Sequence, residues 1–369
     1  MKKHELITPA ILLDMDALEN NINSYQALCD KHGKENWPMI KTHKSTALAK
    51  MQMDAGATGF LCGTIDECEM VHALGAKHIM YAYPAANPVN IQRLLKMTKD
   101  TDIIIRLDTV AAAEMLNAAA EKAGVVVSCT IIVDMNFHRF GMPVEDVVPF
   151  AKALSPMKNL KFRGISTHPG QVYGCADYEG VKEIAKLEID TMKAAADALA
   201  EAGFPCELIT SGSTPTFREV VTKGTTTVSH PGNYTFFDNI QMALGVAEEK
   251  DCSLRILATV ISNPQKGFYL FDAGAKCMGL DQGAHGNAAI TGFGYVVGHP
   301  ELTIVGLSEE VAKVKANGPC DLKVGDKVEI IPNHSCSSAN NTTWYTCVRG
   351  DEVVDSIEVD YRGNSHKKF

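Results

Sequence analysis

The chain lacks any long hydrophobic run. No window of its 369 residues reaches the roughly 20 apolar residues a helix needs to span a bilayer, and MKKHELITPA has no apolar stretch of signal-peptide length. A cytoplasmic location with no membrane partner is expected. A basic block is lacking too. Lys and Arg number 35 against 44 Asp and Glu, a net charge of −9, which argues against a non-specific grip on nucleic acid or an anionic membrane. Cys-x-x-Cys pairs are absent, and 11 cysteines, an odd number, suit a reducing compartment better than a disulfide framework, so most of them read as small buried hydrophobes. Low-complexity segments and long linkers are missing as well. What remains is an ordinary folded composition, 46% hydrophobic and 21% charged, in a chain long enough for two domains. A small-molecule partner is the default.

Short β-rich runs alternate with longer helical patterns. The runs are 37–41, 58–62, 78–82, 102–107, 126–134, 161–167, 206–210 and 226–229; helix candidates are 16–31, 44–55, 65–74, 88–98, 109–123, 145–155, 177–203 and 214–221. Gly33, Gly56, Gly75, Gly124 and Gly203 fall where helix C-caps are expected. Such alternation, with short connections and all-apolar strands such as Ile103-Ile104-Ile105, predicts a closed parallel (β/α)8 barrel of the TIM type over residues 15–245, with an open doubly wound sheet as runner-up. From 246 to 369 the pattern changes to Gly-punctuated β segments at 254–262, 268–272, 302–306, 327–331, 343–348 and 353–360. This reads as a C-terminal β-rich domain, which a strand within residues 1–14 joins.

In such a barrel the chemistry sits at the C-terminal ends of the strands. The residues there are polar: Lys41 after the first run, Arg139 after the fifth, His168, Gln171 and Tyr173 after the sixth, Ser211-Gly212-Ser213-Thr214 after the seventh, and Gly232-Asn233-Tyr234 after the eighth. The last two groups fall where barrels of this type bind phosphate, because small residues at a helix start let backbone N–H groups converge on an anion. Lys41 sits at the strand end, whereas Lys44 opens the next helix; a lysine desolvated at a barrel mouth is suited to Schiff-base chemistry. Lysine and phosphate site together suggest pyridoxal phosphate.

Seven motifs in order carry a resemblance. They are Thr8-Pro9-Ala10 with Leu13-Asp14-Met15-Asp16-Ala17-Leu18, Lys41-Thr42-His43-Lys44, Asp134-Met135-Asn136-Phe137-His138-Arg139-Phe140-Gly141, and Ser211-Gly212-Ser213-Thr214-Pro215-Thr216. His230-Pro231-Gly232-Asn233-Tyr234, Asp272-Ala273-Gly274-Ala275-Lys276 and Pro332-Asn333-His334-Ser335-Cys336 complete the set. Over nearly its whole length the chain resembles the fold-type III pyridoxal phosphate enzymes of the D-serine dehydratase and D-threonine aldolase branch, and more distantly alanine racemase. The resemblance implies that Lys41 carries the cofactor, that Arg139 meets its phenolate oxygen, and that Ser211, Thr214, Gly232 and Asn233 hold its phosphate with Tyr234 nearby. Gln171 and Tyr173 would line it. His230 occupies the slot where alanine racemase has an arginine against the pyridine nitrogen, which argues against a racemase, because a cationic arginine disfavours ring protonation and a histidine need not.

His334 and Cys336 follow a strand-like run; if the extended backbone continues, both project to one face and can converge on a cation. The pair resembles the zinc site of D-serine dehydratases, whereas the threonine aldolases show His-x-Asp with a harder ion such as manganese or magnesium. Two departures bear on specificity: Ser337-Ser338-Ala339-Asn340 stands where Pro-Thr-Val-Asn is usual, and Val311 follows Glu310 where a histidine is usual. The implied activity is dehydration of a small D-configured β-hydroxy amino acid to an oxo acid and ammonia, with zinc activating the β-hydroxyl. The main alternative is retro-aldol cleavage to glycine and an aldehyde, with His168 deprotonating the β-hydroxyl. A racemase and a non-catalytic cofactor carrier rank lower. A homodimer is expected, the β domain of one subunit closing the barrel mouth of the other, since the carbanion must be shielded from water.

Overall fold

In this computed structural model residues 1–282, 287 and 289–362 are described. The chain opens with β1 (Ala10–Asp14) and α1 (Met15–Lys31); Asp14 caps the helix by accepting from the N–H groups of Asp16 and Ala17 at 3.0 and 3.1 Å. Strands and helices then alternate as β2 (Glu35–Asn36), α2 (Thr46–Asp54), β3 (Gly59–Cys62), α3 (Ile65–Ala73), β4 (His78–Tyr81), α4 (Pro88–Met97), β5 (Asp102–Leu107), α5 (Val110–Ala123) and β6 (Val127–Ile132). They continue as α6 (Val144–Leu154), β7 (Leu160–Ser166), α7 (Tyr178–Glu201), β8 (Leu208–Ser211), α8 (Phe217–Lys223) and β9 (Val228–Ser229). The strands form one parallel sheet in the order β2-β9-β8-β7-β6-β5-β4-β3.

A single bridge, Met39 to Leu61, joins the two ends of this sheet and makes the barrel. The run 37–41 is a strand only in part. Trp37 and Met39 donate to the carbonyls of Ser229 and Pro231, both at 2.9 Å, and Leu61 donates to Pro38 at 3.0 Å. Pro38 has no N–H to add to the ladder, and the chain tightens into a 3-10 turn at Ile40–Thr42. Lys41 therefore stands on a turn, at the seam of the barrel.

The barrel interior is layered. At the N-terminal ends of the strands Arg163 pairs with Asp102 at 2.9 Å and Glu207 at 2.5 Å, forming an ionic floor. Burial alone would raise the pKa of Asp102, but hydrogen bonds from His78, Ser128 and Arg163 outweigh it and hold the carboxyl below its ordinary range. Above the floor lies an apolar layer of Trp37, Met39, Leu61, Met80, Ile104, Leu208 and Val228. The next layer is polar again, with Arg106 Nε donating to Ser166 Oγ at 2.8 Å. Arg163 reaches the floor through a bulge: Phe162 pairs with Cys129 and Gly164 with Thr130, so Arg163 is the extra residue that turns inward. Gly164 completes the bend with φ +140°, and a Cβ there would lie 2.0 Å from the Leu208 carbonyl oxygen.

Past α9 (Asn239–Ala243) comes a nine-stranded, mostly antiparallel sheet. It contains β10 (Leu254–Gln265), β11 (Phe268–Phe271), β12 (Tyr295–Val296), β13 (Leu302–Leu307), β14 (Ala312–Ala316), β15 (Lys327–Ile331), β16 (Trp344–Arg349) and β17 (Glu352–Glu358), with α10 (Ala275–Met278) and α11 (Ser335–Asn340) in its connections. β1 is the remaining member, antiparallel to β10 and parallel to β16. β14 escapes the sequence pattern because its outward positions are Lys313 and Lys315, which read as a solvated loop, while Ala312 and Val314 pack inward. Among the described residues no helix is long and apolar enough to cross a membrane.

The bulge generates a prediction. Gly164→Ala would combine a left-handed backbone with a clash against a carbonyl, and should lower stability by about 2–4 kcal/mol. Urea unfolding followed by circular dichroism measures it; an unchanged midpoint would mean that the bulge can relax.

Candidate active site

The C-terminal ends of the barrel strands and one edge of the second sheet enclose a cavity of about 380 Å³. Of the two lysines in Lys41-Thr42-His43-Lys44, only Lys41 lines it; Lys44 is buried with its ammonium 3.3 Å from Glu67. Lys41 is exposed in the single chain. The chain alone thus does not supply the desolvation expected of a Schiff-base lysine, because the mouth beside it is open. That opening, about 600 Å³, runs along Lys44, Glu67, Tyr83 and Asn340.

Opposite Lys41, two turns form one cradle. Thr214 Oγ1 accepts from the backbone N–H of Gly232 at 3.3 Å and of Tyr234 at 3.0 Å, tying the loop after β8 to the turn after β9. A side chain at Gly232 would be tightly placed, since a Cβ would sit 3.1 Å from both the Cβ and the carbonyl oxygen of Met39. Thr214, Gly232 and Asn233 line the cavity together with Gly212 and Ser213, whereas Ser211 and Tyr234 do not. Ser211 hydrogen-bonds to Thr226 behind the cradle, and the Tyr234 ring stacks on Tyr25 at 4.5 Å in the core, its hydroxyl accepting from Gln52 at 2.9 Å. Gln171 also lies outside, donating to the Met135 carbonyl at 2.8 Å. Behind the cradle Glu188 accepts from the Gly212 N–H at 2.6 Å. Burial pushes this carboxyl up to about 7, against hydrogen bonds from Thr216, Gly212 and Ser211.

Arg139, His168, Tyr173 and His230 also line the cavity. The Arg139 guanidinium lies over the rings of Phe137 and Phe140, at 4.8 and 5.5 Å from their centroids, and burial lowers its pKa against the pull of Tyr83. His230 is buried, with Nδ1 2.9 Å from the Trp37 carbonyl. A carbonyl only accepts, so the proton is on Nδ1. Nε2 is then a lone-pair acceptor, and it has no partner among the described residues. Burial, with Arg106 nearby, lowers the pKa of His230 to about 3 and keeps the ring neutral. Arg106 itself is brought down to about 10 by burial and by Arg139.

His334 and Cys336 come together, but not on extended backbone. His334 is the N-cap of α11 and Cys336 lies in its first turn, so the helix start, and not a pleated strand, brings the sulfur beside the ring. Burial would lower His334, yet Cys336, Asp238 and Asp281 push it up to about 9; the thiol of Cys336, which burial would raise, is held below its ordinary value by His334, Lys41 and Thr42. His334 Nδ1 is buried and has no hydrogen-bond partner among the described residues. Two protein ligands, a nitrogen and a thiolate sulfur, with open positions toward the cavity, can hold a soft divalent cation. Asp238, buried, anchors this helix to the cradle: Asn233 Nδ2 donates to Asp238 Oδ2 at 2.7 Å and to Ser335 Oγ at 2.8 Å, and the Ser335 N–H donates to Asp238 at 3.0 Å. The Asn233 side chain thus couples the two turns.

Sequence reading missed Thr42, Tyr83, Arg106 and Asp281, all of which line the cavity. Arg106 had a signal, a charge inside the apolar run 102–107; Asp281 and Asp238 had none.

A family model of the alanine racemase N-terminal domain matches residues 13–239, and one of the serine dehydratase domain matches residues 253–348. The chain is 30% identical to the D-threo-3-hydroxyaspartate dehydratase of Delftia sp. (strain HT23), over 96% of this chain and 97% of the relative. It is 28% identical to the 3-hydroxy-D-aspartate aldolase of Paracoccus denitrificans (strain Pd 1222), over 99% and 95%, and 27% identical to the D-serine dehydratase of Dictyostelium discoideum, over 96% and 97%. The solved structure of the Delftia enzyme superposes with a TM-score of 0.89 at 29% identity, covering 99% of this chain and 100% of that one. A variant of it with a cysteine replaced by alanine is described as the metal-free form.

Glu188 sets a pH dependence. Its folded pKa of about 7 stands above the ordinary glutamate value of 4.5. The native state therefore retains a proton that the unfolded chain gives up, and this contribution is full below pH 4.5 and lost as pH rises through 7. Glu188→Gln should remove that slope: between pH 5 and 8 the wild type should lose about 2–3 kcal/mol more stability than the variant. Parallel pH profiles in urea unfolding would refute it.

Proposed function

The chain belongs to the pyridoxal phosphate lyases that join an alanine racemase-type barrel to a serine dehydratase domain, and on that premise we propose that it dehydrates D-configured β-hydroxy amino acids to an oxo acid and ammonia with the help of zinc. The observation that carries this reading is the His334–Cys336 pair, which faces the same cavity as Lys41 and keeps a buried ring nitrogen without a partner.

The residues present fit the cofactor. The cradle of Thr214 and Gly232, with Gly212 and Ser213, would hold the phosphate, Arg139 the phenolate oxygen, and the orphaned Nε2 of His230 a protonated ring nitrogen. Bound pyridoxal phosphate would supply the electron sink that delocalises a carbanion at the substrate Cα. Lys41 would hold the cofactor, and its Nζ, lining the cavity, would serve as the base for the Cα proton. His230 cannot donate from Nε2, because Nδ1 carries its only proton, so it favours the protonated ring.

His334 and Cys336 would present the metal to the β-hydroxyl. Zinc held by these two ligands would supply a Lewis acid for this leaving group, and thiolate plus imidazole favours zinc over harder ions. Retro-aldol cleavage is the second reading, favoured by His168, whose side chain lines the same cavity and could take the β-hydroxyl proton. The mouth beside Lys41 is open in the single chain, which supports a homodimer in which a second copy covers it.

Three measurements test this reading. Borohydride should fix the cofactor on the peptide containing Lys41; label on Lys44 would overturn the assignment. A panel of D-serine, D-threonine and D-3-hydroxyaspartate should yield oxo acid and ammonia, whereas glycine and an aldehyde would make the enzyme an aldolase. Cys336→Ala should lose bound zinc and slow elimination roughly 10²–10³-fold, about 3–4 kcal/mol of barrier, with the cofactor absorbance retained. Undiminished turnover by the metal-free variant would leave the pair a structural role only.

A further inference from the structure

A second set of metal-ligating atoms converges far along the chain from Lys41, and none of its members lines the catalytic cavity. It consists of His299 and Glu301, in the turn between β12 and β13, and Cys320, in the stretch between β14 and β15. One ligand atom from each lies within 4.8 Å of the others, and all three residues are half-buried, accessible to an ion yet partly shielded from bulk water. His299 Nδ1 is 3.0 Å from Glu301 Oε1. The Glu301 carboxyl is held below its ordinary range by its own backbone N–H, by His299 and by the Cys320 thiol, with burial opposing.

The backbone fixes this arrangement before any ion arrives. The His299 carbonyl accepts from the Leu302 N–H at 3.0 Å, which shapes the turn, and the Glu301 carbonyl accepts from the Asn317 N–H at 2.8 Å, which brings the second segment alongside. Tyr269 Oη donates to the Cys320 carbonyl at 3.3 Å and pins the residue. Beyond Asn317 the chain has no regular structure until β15 at Lys327, a long connection for a compact domain.

We propose that His299, Glu301 and Cys320 bind a second zinc ion, with water as the fourth ligand, which staples the 317–326 segment to the β12–β13 turn. Imidazole, carboxylate and thiolate are zinc ligands, and the sulfur disfavours magnesium and calcium. Tetrahedral zinc with bonds of about 2.0–2.3 Å sets ligand atoms roughly 3.3–3.8 Å apart, so small side-chain rotations close the site. The Cys320 thiol proton leaves to solvent on binding, and the two anionic ligands neutralise the dication. This site is independent of the His334–Cys336 assignment.

The test uses the full-length holoenzyme, stripped with EDTA, reloaded with zinc chloride, desalted and analysed for metal. Wild type should hold two zinc ions per chain, Cys320→Ser one, Cys336→Ser one and the double variant none. Cys320→Ser should keep wild-type turnover, while zinc should slow proteolysis within 317–326 in wild type and not in this variant. Should Cys320→Ser misfold, His299→Gln reads the same loss. Equal zinc content with and without the Cys320 sulfur overturns the proposal. If Cys336→Ser instead leaves the content unchanged while Cys320→Ser removes one ion, the second site stands and the catalytic zinc falls.

Discussion

Asp238 holds the two halves of the site at a fixed spacing. Its carboxylate is buried, which costs free energy unless every lone pair is answered, and it is answered from both sides: Asn233 and the Gln241 N–H on the barrel side, the Ser335 N–H on the side of the second sheet. The cradle and the His334–Cys336 pair follow strands of different sheets, and this carboxylate fixes their separation together with the Asn233–Ser335 hydrogen bond and the Asn239 N–H on the Pro332 carbonyl. A lyase of this kind must keep its electron sink and the group that activates the β-substituent in register with one substrate, within a fraction of an ångström. The rest of the site hangs on that junction.

The cavity is also electrostatically incomplete. Lys41, Arg106 and Arg139 line it, and among its described lining residues Asp281 is the one carboxylate. Arg106 has Nε and Nη1 committed to neutral acceptors, Ser166 Oγ and the Ala82 carbonyl. Of the three only Arg106 is buried, and positive charge converging on one cavity favours an anion, which a phosphate ester and an amino-acid carboxylate would both provide. The layers beneath serve the same end. The ionic floor at Arg163 and the apolar belt close the barrel from below, so that the cavity opens at the polar layer above them.

Much of this was legible in the sequence, because periodicity and glycine placement report local backbone geometry. The barrel and the change to β structure after about residue 245 follow from such local signals, whereas Lys41 stands past the strand, on the turn Ile40–Thr42. Three things did not. Pro38 truncates the first strand by removing one donor, which a hydrophobic pattern does not register. Ser211, Gln171 and Tyr234 stand in the right motifs but turn to Thr226, Met135 and Gln52, and side-chain direction is a tertiary property. The His-x-Cys spacing suggested a strand, yet the chain begins α11 there, with His334 as its cap. Spacing of two residues fits both, and only the packing of the Asn333 and Ser335 region decides.

β1 has a consequence for how the molecule is made. Its partners are β10 and β16, with Leu13 opposite Leu254 and Leu12 opposite Thr346. The strand leaves the ribosome before the whole barrel and must wait, unpaired and apolar at Ile11-Leu12-Leu13, until β10 has emerged, and its second partner, β16, comes almost last. Contacts this distant in sequence slow folding and leave an open strand edge in the interim. Synthesis in the cell therefore passes through a stage at which a finished barrel carries a loose hydrophobic arm, the stage at which chaperones and aggregation compete for it.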